Sequence, residues 1–522
     1  MPASKFSRKF FTISIIVVTI LVLGAITAQV MANTWVKQFL DRKLPPHVDL
    51  KYDSMETNIF TGSIALNGVF LKLSNRDSVA THTEAQMKSI ALNGLEYSQF
   101  FMKDRIVVSD LKIDRPQVVH DLYKVHKRVG KERRGVVTLL KEIEVERLKV
   151  EGGELTLNDK DSLAFHSKTI DFDVFEIKTG PKQIRKKIPV TYGKYDLLVA
   201  DVFVDLGSYE KLNVNELQFH DGTVKVLGSS LQTKYGKSEL SKHLKVERDY
   251  VDLQVPEITL ESIEVSFVKD TLNITTGNGK IIKPVATIYR DKLVTDDTRS
   301  KKMYSGMLRN LPIYITVPSI EIENAQLQYG EKIEQGVAPG SVSFNQLNAQ
   351  ITNISNRVEN KADTKISADA LLMDHAPIRL DWSFQVNTPS DNFIASGEIK
   401  NFKSNTLNSF LESSLRAKAK GTINRLYFTI GGNAFNSSGD IKMRYEDFEF
   451  SVLKKNRLGV NKLLTFLGNL FINDGSKSDE DGFRYGDIEV ERDPTKSFFN
   501  YLWMNVKEGM VNTMVGKGKK ED

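Results

Sequence analysis

Five segments of this chain share one spacing: an apolar residue, apolar residues at +3 and +5, a small or turn-forming residue at +8, and apolar residues at +10 and +12. They are Val108, Leu111, Ile113, Pro116, Val118, His120; Val145, Leu148, Val150, Gly153, Leu155, Leu157; and Val214, Leu217, Phe219, Gly222, Val224, Val226. The last two are Val255, Ile258, Leu260, Ile263, Val265, Phe267 and Val317, Ile320, Ile322, Ala325, Leu327, Tyr329. Residues two apart share one face of a pleated strand, so each +3/+5 and +10/+12 pair commits its segment to a strand with one apolar side. Glu-Gly-Gly, His-Asp-Gly or Asp-Arg-Pro between the pairs is turn chemistry. Each copy is therefore predicted to be a short strand, a turn or bulge, and a second strand. His120 and Ile263 make the first and fourth copies imperfect. The starts lie 37, 69, 41 and 62 residues apart, which suggests a unit of 35–40 residues with degenerate or interrupted copies.

Further strands are expected after the second and fifth copies, at Ile170, Phe172, Val174 and at Leu347, Ala349, Ile351. The C-terminal half keeps the alternation without the motif, as in Leu380, Trp382, Phe384, Val386 and in Ile441, Met443, Tyr445. Helical spacing intrudes at 405–417, through Leu407, Phe410, Leu411 and Leu415, and returns after Pro494. There Phe498, Phe499, Leu502, Trp503, Val506 and Met510 form an apolar stripe before Lys517, Lys519 and Lys520. That tail helix could lie on a membrane or pack on its own domain.

Residues 10–32 are apolar and uncharged, long enough to cross a hydrocarbon core of ~30 Å. Phe10, Ile13, Ile15, Val17, Ile20 and Leu23 would sit in lipid, with Trp35 as an interfacial anchor. Lys5, Arg8 and Lys9 precede the run, so positive-inside bias keeps residues 1–9 in the cytoplasm and places the rest outside. A cleaved signal peptide is the alternative, but the run exceeds the usual 7–15 residue apolar region. Either way the bulk of the chain occupies the same compartment. The expected organisation is then a membrane-proximal helix or linker (33–57), a repeated strand domain (58–453), a helix and polar loop (454–493), and an amphipathic helix with a basic tail (494–522).

Composition narrows the chemistry. With no cysteine among 522 residues, disulfides, thiolate nucleophiles and Cys-ligated metals are excluded. The net charge of +6, with no arginine-rich arm, does not argue for nucleic acid. H-E-x-x-H, G-x-S-x-G and phosphate-loop motifs are missing. The eight histidines are scattered, and Asp171 and Asp173, which share a strand face, read more simply as solvated polar residues than as cation ligands. No catalytic, metal or cofactor-binding residue is therefore nominated. A basic stretch with Arg128, Lys131, Arg133 and Arg134 could meet anionic head groups or be a solvated linker.

The chain resembles the AsmA-like family of envelope proteins, relatives of TamB and the bridge-like lipid carriers. The resemblance rests on the N-terminal anchor followed by the run Asn58 to Val69 and on the recurring pattern best seen at Val145–Leu157. It rests also on the Gly421–Asp447 stretch and on the terminal aromatic helix with Lys-Glu-Gly at 507–509. It implies a mainly β fold: an elongated, curled antiparallel sheet forming a repeated groove, apolar inside, with an N-terminal transmembrane helix and a short C-terminal amphipathic helix. It implies an inner-membrane protein whose bulk is periplasmic, conducting phospholipid or another envelope lipid toward the outer membrane, with no catalytic residues. At ~4.8 Å per strand, roughly 15–20 strands would extend ~70–95 Å.

The groove would be lined by Leu148, Val150, Leu155, Leu157, Leu217, Phe219, Val224, Ile320, Ile322 and Leu327. From the residues alone, the same side chains could instead fill a closed core. The competing function is a non-catalytic assembly factor that holds outer-membrane proteins through an open sheet edge.

Overall fold

The computed structural model describes residues 4–75, 80–125, 139, 141–453 and 478–515. Two compact units divide the chain, one of Met1–Asp205 with Asn215–Asp221, the other of Leu206–Val214 with Gly222–Asp522.

The first unit is a mixed sheet. Its strands are β1 (Val48–Lys51), β2 (Ser54–Asn58), β3 (Ser63–Ser74), β4 (Thr81–Asn93), β5 (Arg105–Asp114), β6 (Gln117–Asp121), β7 (Glu142–Asp159), β8 (Ser162–Thr179) and β9 (Tyr195–Asp205). The boundary between the units falls within β10 (Glu210–His220). β1 and β2 both pair antiparallel with β3, and β3 with β4. β4 then pairs with β5 and β6, and β7 with β8 and β8 with β9, again antiparallel. β5 and β6, however, run parallel to β7.

The second unit contains β11 (Thr223–Thr233), β12 (Asp249–Leu260), β13 (Glu264–Val268), β14 (Thr271–Thr275), β15 (Asn278–Ile282), β16 (Val285–Asp291), β17 (Tyr314–Lys332) and β18 (Gly340–Ser355). It continues with β19 (Thr364–Leu372), β20 (Ala376–Phe384), β21 (Phe393–Lys403), β22 (Ala417–Gly432), β23 (Asn436–Val452) and β24 (Arg484–Glu491). β15 and β16 pair antiparallel with β12 on one side. On the other side they, and β14, run parallel to β17. β17 through β24 form an antiparallel meander.

The wholly antiparallel expectation is thus corrected to a mixed sheet, and the reason lies in the repeat itself. The first two copies are not successive hairpins. They lie side by side in parallel, with Leu111 opposite Leu148, Ile113 opposite Val150, and Val118 opposite Leu155. A parallel neighbour needs a long crossover, and residues 122–141 supply it. Nor do the halves of the second copy fold back on one another, since Val145–Leu157 is one continuous strand. Its small position is a bulge, with Gly152 at φ +61° and a break in register between Val150 and Gly153. The first copy is kinked at the same level by Arg115 (φ +50°) and Pro116.

An equivalent arrangement recurs in the second unit. Lys283 (φ +50°) and Pro284 interrupt β15 and β16, and Asn324 (φ +49°) bulges β17. The two sites share their hydrogen bonds. Arg115 N donates to Glu151 O (2.7 Å) and Glu154 N to Pro116 O (2.7 Å); Lys283 N donates to Glu323 O (2.8 Å) and Gln326 N to Pro284 O (2.8 Å). Gly279, Ile281, Pro284, Ala286 and Ile288 therefore follow the motif's spacing, with Thr276 at its first position, and all but Pro284 lie in parallel register with the fifth copy.

The fourth copy is the expected strand, break and second strand, on β12 and β13, but its second half does not join the apolar face. β13 runs antiparallel to β14, and Val265 and Phe267 on it are exposed. The helices among the described residues are α1 (Ser4–Lys43), α2 (Tyr97–Met102), α3 (Lys237–His243), α4 (Tyr304–Arg309), α5 (Asn408–Phe410) and α6 (Phe498–Val515). α5 is flanked by the helical turns Ser404–Leu407 and Leu411–Leu415, which together match the spacing seen at 405–417.

α1 runs on past Ala32. Among the described residues, no helix is long and apolar enough to cross a membrane. Leu23 and Trp35 are exposed, while the side chains of Phe10, Ile13, Ile15, Val17 and Ile20 lie outside the described residues. Arg128, Lys131, Arg133 and Arg134, and most of 454–493, likewise lie outside them.

Candidate functional site

Directly paired residues share a face, so a run of pairings across strands traces one rung of that face. In the first unit one rung is Met55, Leu66, Ile90, Ile113, Val150, Phe172, Leu197, from β2 to β9. The next is Ile64, Leu92, Leu111, Leu148, Val174, Tyr195, and Tyr195 lies flat on Phe219 with ring centroids 4.1 Å apart. Beyond the bulges, Leu50, Leu71, Ala85, Val118 and Leu155 continue the same face.

A cavity of about 550 Å³ opens over β7–β10, lined by Val150, Phe172, Leu197 and Phe219 together with their charged strand neighbours, Glu151 and Asp173 among them. Only near β3 and β4 does this face become a buried cluster, of Leu66, Val69, Ala85 and Met87, with Leu40 of α1 packed against it.

The opposite face is charged. Lys112 and Lys149 each reach Glu151 at 2.5 Å. Hydrogen bonds from Lys112 and then Lys149 lower the Glu151 carboxyl to about 2. Arg147 grips Asp173 through two hydrogen bonds, of 2.9 and 2.6 Å, which also holds that carboxyl down. Asp171 accepts from the Gly152 N–H at the bulge (2.7 Å). Both members of the Asp171/Asp173 pair are therefore engaged in holding β7 to β8. On the apolar side, burial pushes the Tyr195 phenol up.

The second unit carries the longest rungs. Val224, Leu260, Gly279, Ile320, Ile351, Ile366, Trp382, Ala395, Ile430, Gly439 and Ile488 are paired in succession from β11 to β24. The character of this rung changes along its length. Val224, Ile320, Ile351 and Ile366 are half-buried. From Trp382 (7 % exposed) to Ile488 (2 %), it is closed over. The cover is α6, whose Phe498 stacks on Trp382 with centroids 4.4 Å apart, while Tyr501 and Met514 join the same cluster.

Most of the stripe read from the sequence packs on the sheet: Phe498 is buried in the cluster, and Leu502, Val506 and Met510 lie against it. Asn505 (0 % exposed) and Thr513 (1 %) are buried even more deeply than Phe498 and Tyr501, Gly509 is buried beside them, and Phe499 is half exposed to solvent (52 %). Gly509 allows a close approach, since a Cβ there would stand 2.6 Å from Ile441 Cγ2 and 2.9 Å from Ile488 Cγ1. Asn505 accepts a hydrogen bond from Ser437 Oγ (2.8 Å) and donates to Tyr501 O (2.9 Å).

All ten residues nominated from the sequence as groove lining are half-buried, and none is sealed in a core. Leu148, Val150, Leu155 and Leu157 come together on β7. Phe219 joins them through Tyr195, and Leu217 lies on the same strand as Phe219. Val224 and Ile320 share a rung, Ile322 lies on the next, and Leu327 sits past the bulge of β17. Sequence reasoning missed Phe172, Tyr195 and Leu197, whose signal was simple alternation, and Ile281 and Ala286, whose copy of the motif was overlooked.

Each unit is thus a strand-built scaffold with apolar rungs across one face; in the first the opposite face of β7 and β8 is charged, and in the second one stretch of the rungs is covered by a helix. Among known proteins, no family model matches the chain, and no curated protein matches it either.

Proposed function

We propose that this chain holds, and passes along its apolar face, phospholipid or a related envelope lipid, while α1 anchors it to the inner membrane and the bulk of it lies in the periplasm. One observation carries the reading: rungs made of apolar residues cross the strands of each unit, yet the nominated lining residues remain half-buried. Apolar surface left unfilled by protein is costly in water, at ~0.8 kcal/mol per CH₂. Acyl chains lying across the rungs would replace that water, while head groups stay at the polar rim. Near-equivalent strands along each rung make sliding from one strand to the next nearly isoenergetic. The resemblance to AsmA-like proteins supports the same role, which requires no catalytic group.

The test is mass spectrometry of the full chain extracted in mild detergent, which should find phospholipid bound. A Phe172→Glu variant should lose that lipid but keep its β-rich circular dichroism, because Phe172 is only half-buried. Native protein free of lipid, and crosslinked instead to outer-membrane proteins, would favour the strand-edge assembly role. Unfolding of Phe172→Glu would make the face a core.

A further inference from the structure

At one end of the first unit, strand tips expose large apolar side chains that the groove does not use. Phe60, on the turn from β2 to β3, is 71 % exposed; Phe101 and Met102, on α2 between β4 and β5, are 76 % and 77 % exposed. The two tips are tied together. Tyr97 Oη donates to Ile59 O (2.8 Å), and Leu95 N to Gly62 O (3.1 Å). Phe100 supports Phe101 edge-on and is itself capped by the Lys141 ammonium, 4.2 Å from its ring. The tips are thus held in place with their greasy ends bare, and exposed Lys103 follows directly.

α1 lies against the same tips. Gln29 takes a hydrogen bond from Ile59 N (3.0 Å) and donates to Thr57 O, while Thr57 Oγ1 donates to Asn33 (2.7 Å). From Phe10 to Gln29 the helix rises ~28 Å at 1.5 Å per residue, the thickness of a hydrocarbon core of ~30 Å. Just before Gln29, Leu23 and Ile26 are exposed, and Thr27 satisfies its hydroxyl internally on Leu23 O (2.7 Å). The bare tips therefore sit at the level where α1 changes from apolar to polar.

We propose that these tips form a wedge, led by Phe60, Phe101 and Met102, which enters the head-group region of the leaflet that α1 leaves. The occupant of this patch is lipid, not protein. Its helical neighbour is apolar on exposed faces, and aromatic side chains with a nearby lysine suit the bilayer interface. Insertion would seat the first strands of the apolar face at the membrane surface, where a lipid could enter it. The inference rests on α1 being a membrane anchor.

Because the chain has no cysteine, single cysteines can be introduced and labelled cleanly. Full-length Leu23→Cys, Phe101→Cys and Leu163→Cys, each carrying an environment-sensitive fluorophore, are reconstituted in phosphatidylethanolamine–phosphatidylglycerol vesicles doped with spin-labelled lipid. Leu163 is exposed at the opposite tip, near the start of β8 and paired with Asn158 of β7. Quenching at Leu23 and Phe101 several-fold above that at Leu163 is expected. Quenching at Leu23 with Phe101 no stronger than Leu163 overturns the wedge and leaves the anchor standing. Equal quenching at all three positions also overturns it, as a surface-lying unit. No quenching at Leu23 removes wedge and anchor together.

Discussion

Val150 and Leu155 are five steps apart on β7, an odd count that in an unbroken strand would put them on opposite faces. They share a face because Gly152, at φ +61°, takes up the extra step. Deleting Gly152 should therefore turn Leu155 and Leu157 toward the charged side. The expected result is loss of bound lipid with faster proteolysis of the first unit, whereas Gly152→Ala should cost about 1–2 kcal/mol in chemical denaturation for the left-handed backbone alone. At the other end of the chain, Gly486 faces the Gly509 carbonyl of α6. Gly486→Ala has to push backbone rather than a flexible side chain, and a loss of about 1–3 kcal/mol is expected in the same measurement. On the charged face, the folded Glu151 carboxyl titrates at about 2 rather than 4.5. Its contribution is thus present above pH 4.5 and lost as pH falls toward 2. The stability difference between wild type and Glu151→Gln should shrink over that range, and also at high salt, since the carboxylate is exposed.

Among the elements, α6 has the clearest consequence. Phe498, Tyr501 and Met514 are each at most 3 % exposed, and their burial is worth on the order of several kcal/mol. A chain ended before Phe498 should unfold at lower denaturant and bind a hydrophobic dye strongly, as Trp382, Ala395 and Ile441 lose their cover. An unchanged transition would mean that α6 is ornamental to the fold.

The elements also show how far sequence carries. Period-2 alternation marked the strands around Trp382 and Met443 directly, and helical spacing marked both 405–417 and α6. Turn and bulge were both left open between the halves of each copy, because Gly-Gly and Arg-Pro punctuate the two in the same way; only the pairing partner, across a crossover, distinguishes them. The apolar stripe of α6 found part of its packed face, through Phe498, Leu502, Val506 and Met510, but not its most deeply buried polar and small residues. Close helix–sheet packing selects Gly509, Asn505 and Thr513, which no hydrophobicity pattern would rank.

For the molecule as a whole, the contrast between open and plugged rungs is the feature that separates conduit from core. A photo-crosslinking residue placed at Leu148 or Ile322, both half-buried, should capture lipid in membranes. The same residue at Met443, which is 0 % exposed, should capture only the protein itself. Equal labelling at all three positions would mean that α6 does not stay in place.

The offsetting bulges at Gly152 and Asn324 behave like a reading frame. A single inserted or deleted residue inside any strand that crosses the face would transpose everything downstream of it from oil to water, whereas the crossovers can lengthen or shorten freely. A lineage of such chains would be expected to vary in size by whole strands and by the segments between them, and to keep the count within each strand as strictly as an enzyme keeps its nucleophile.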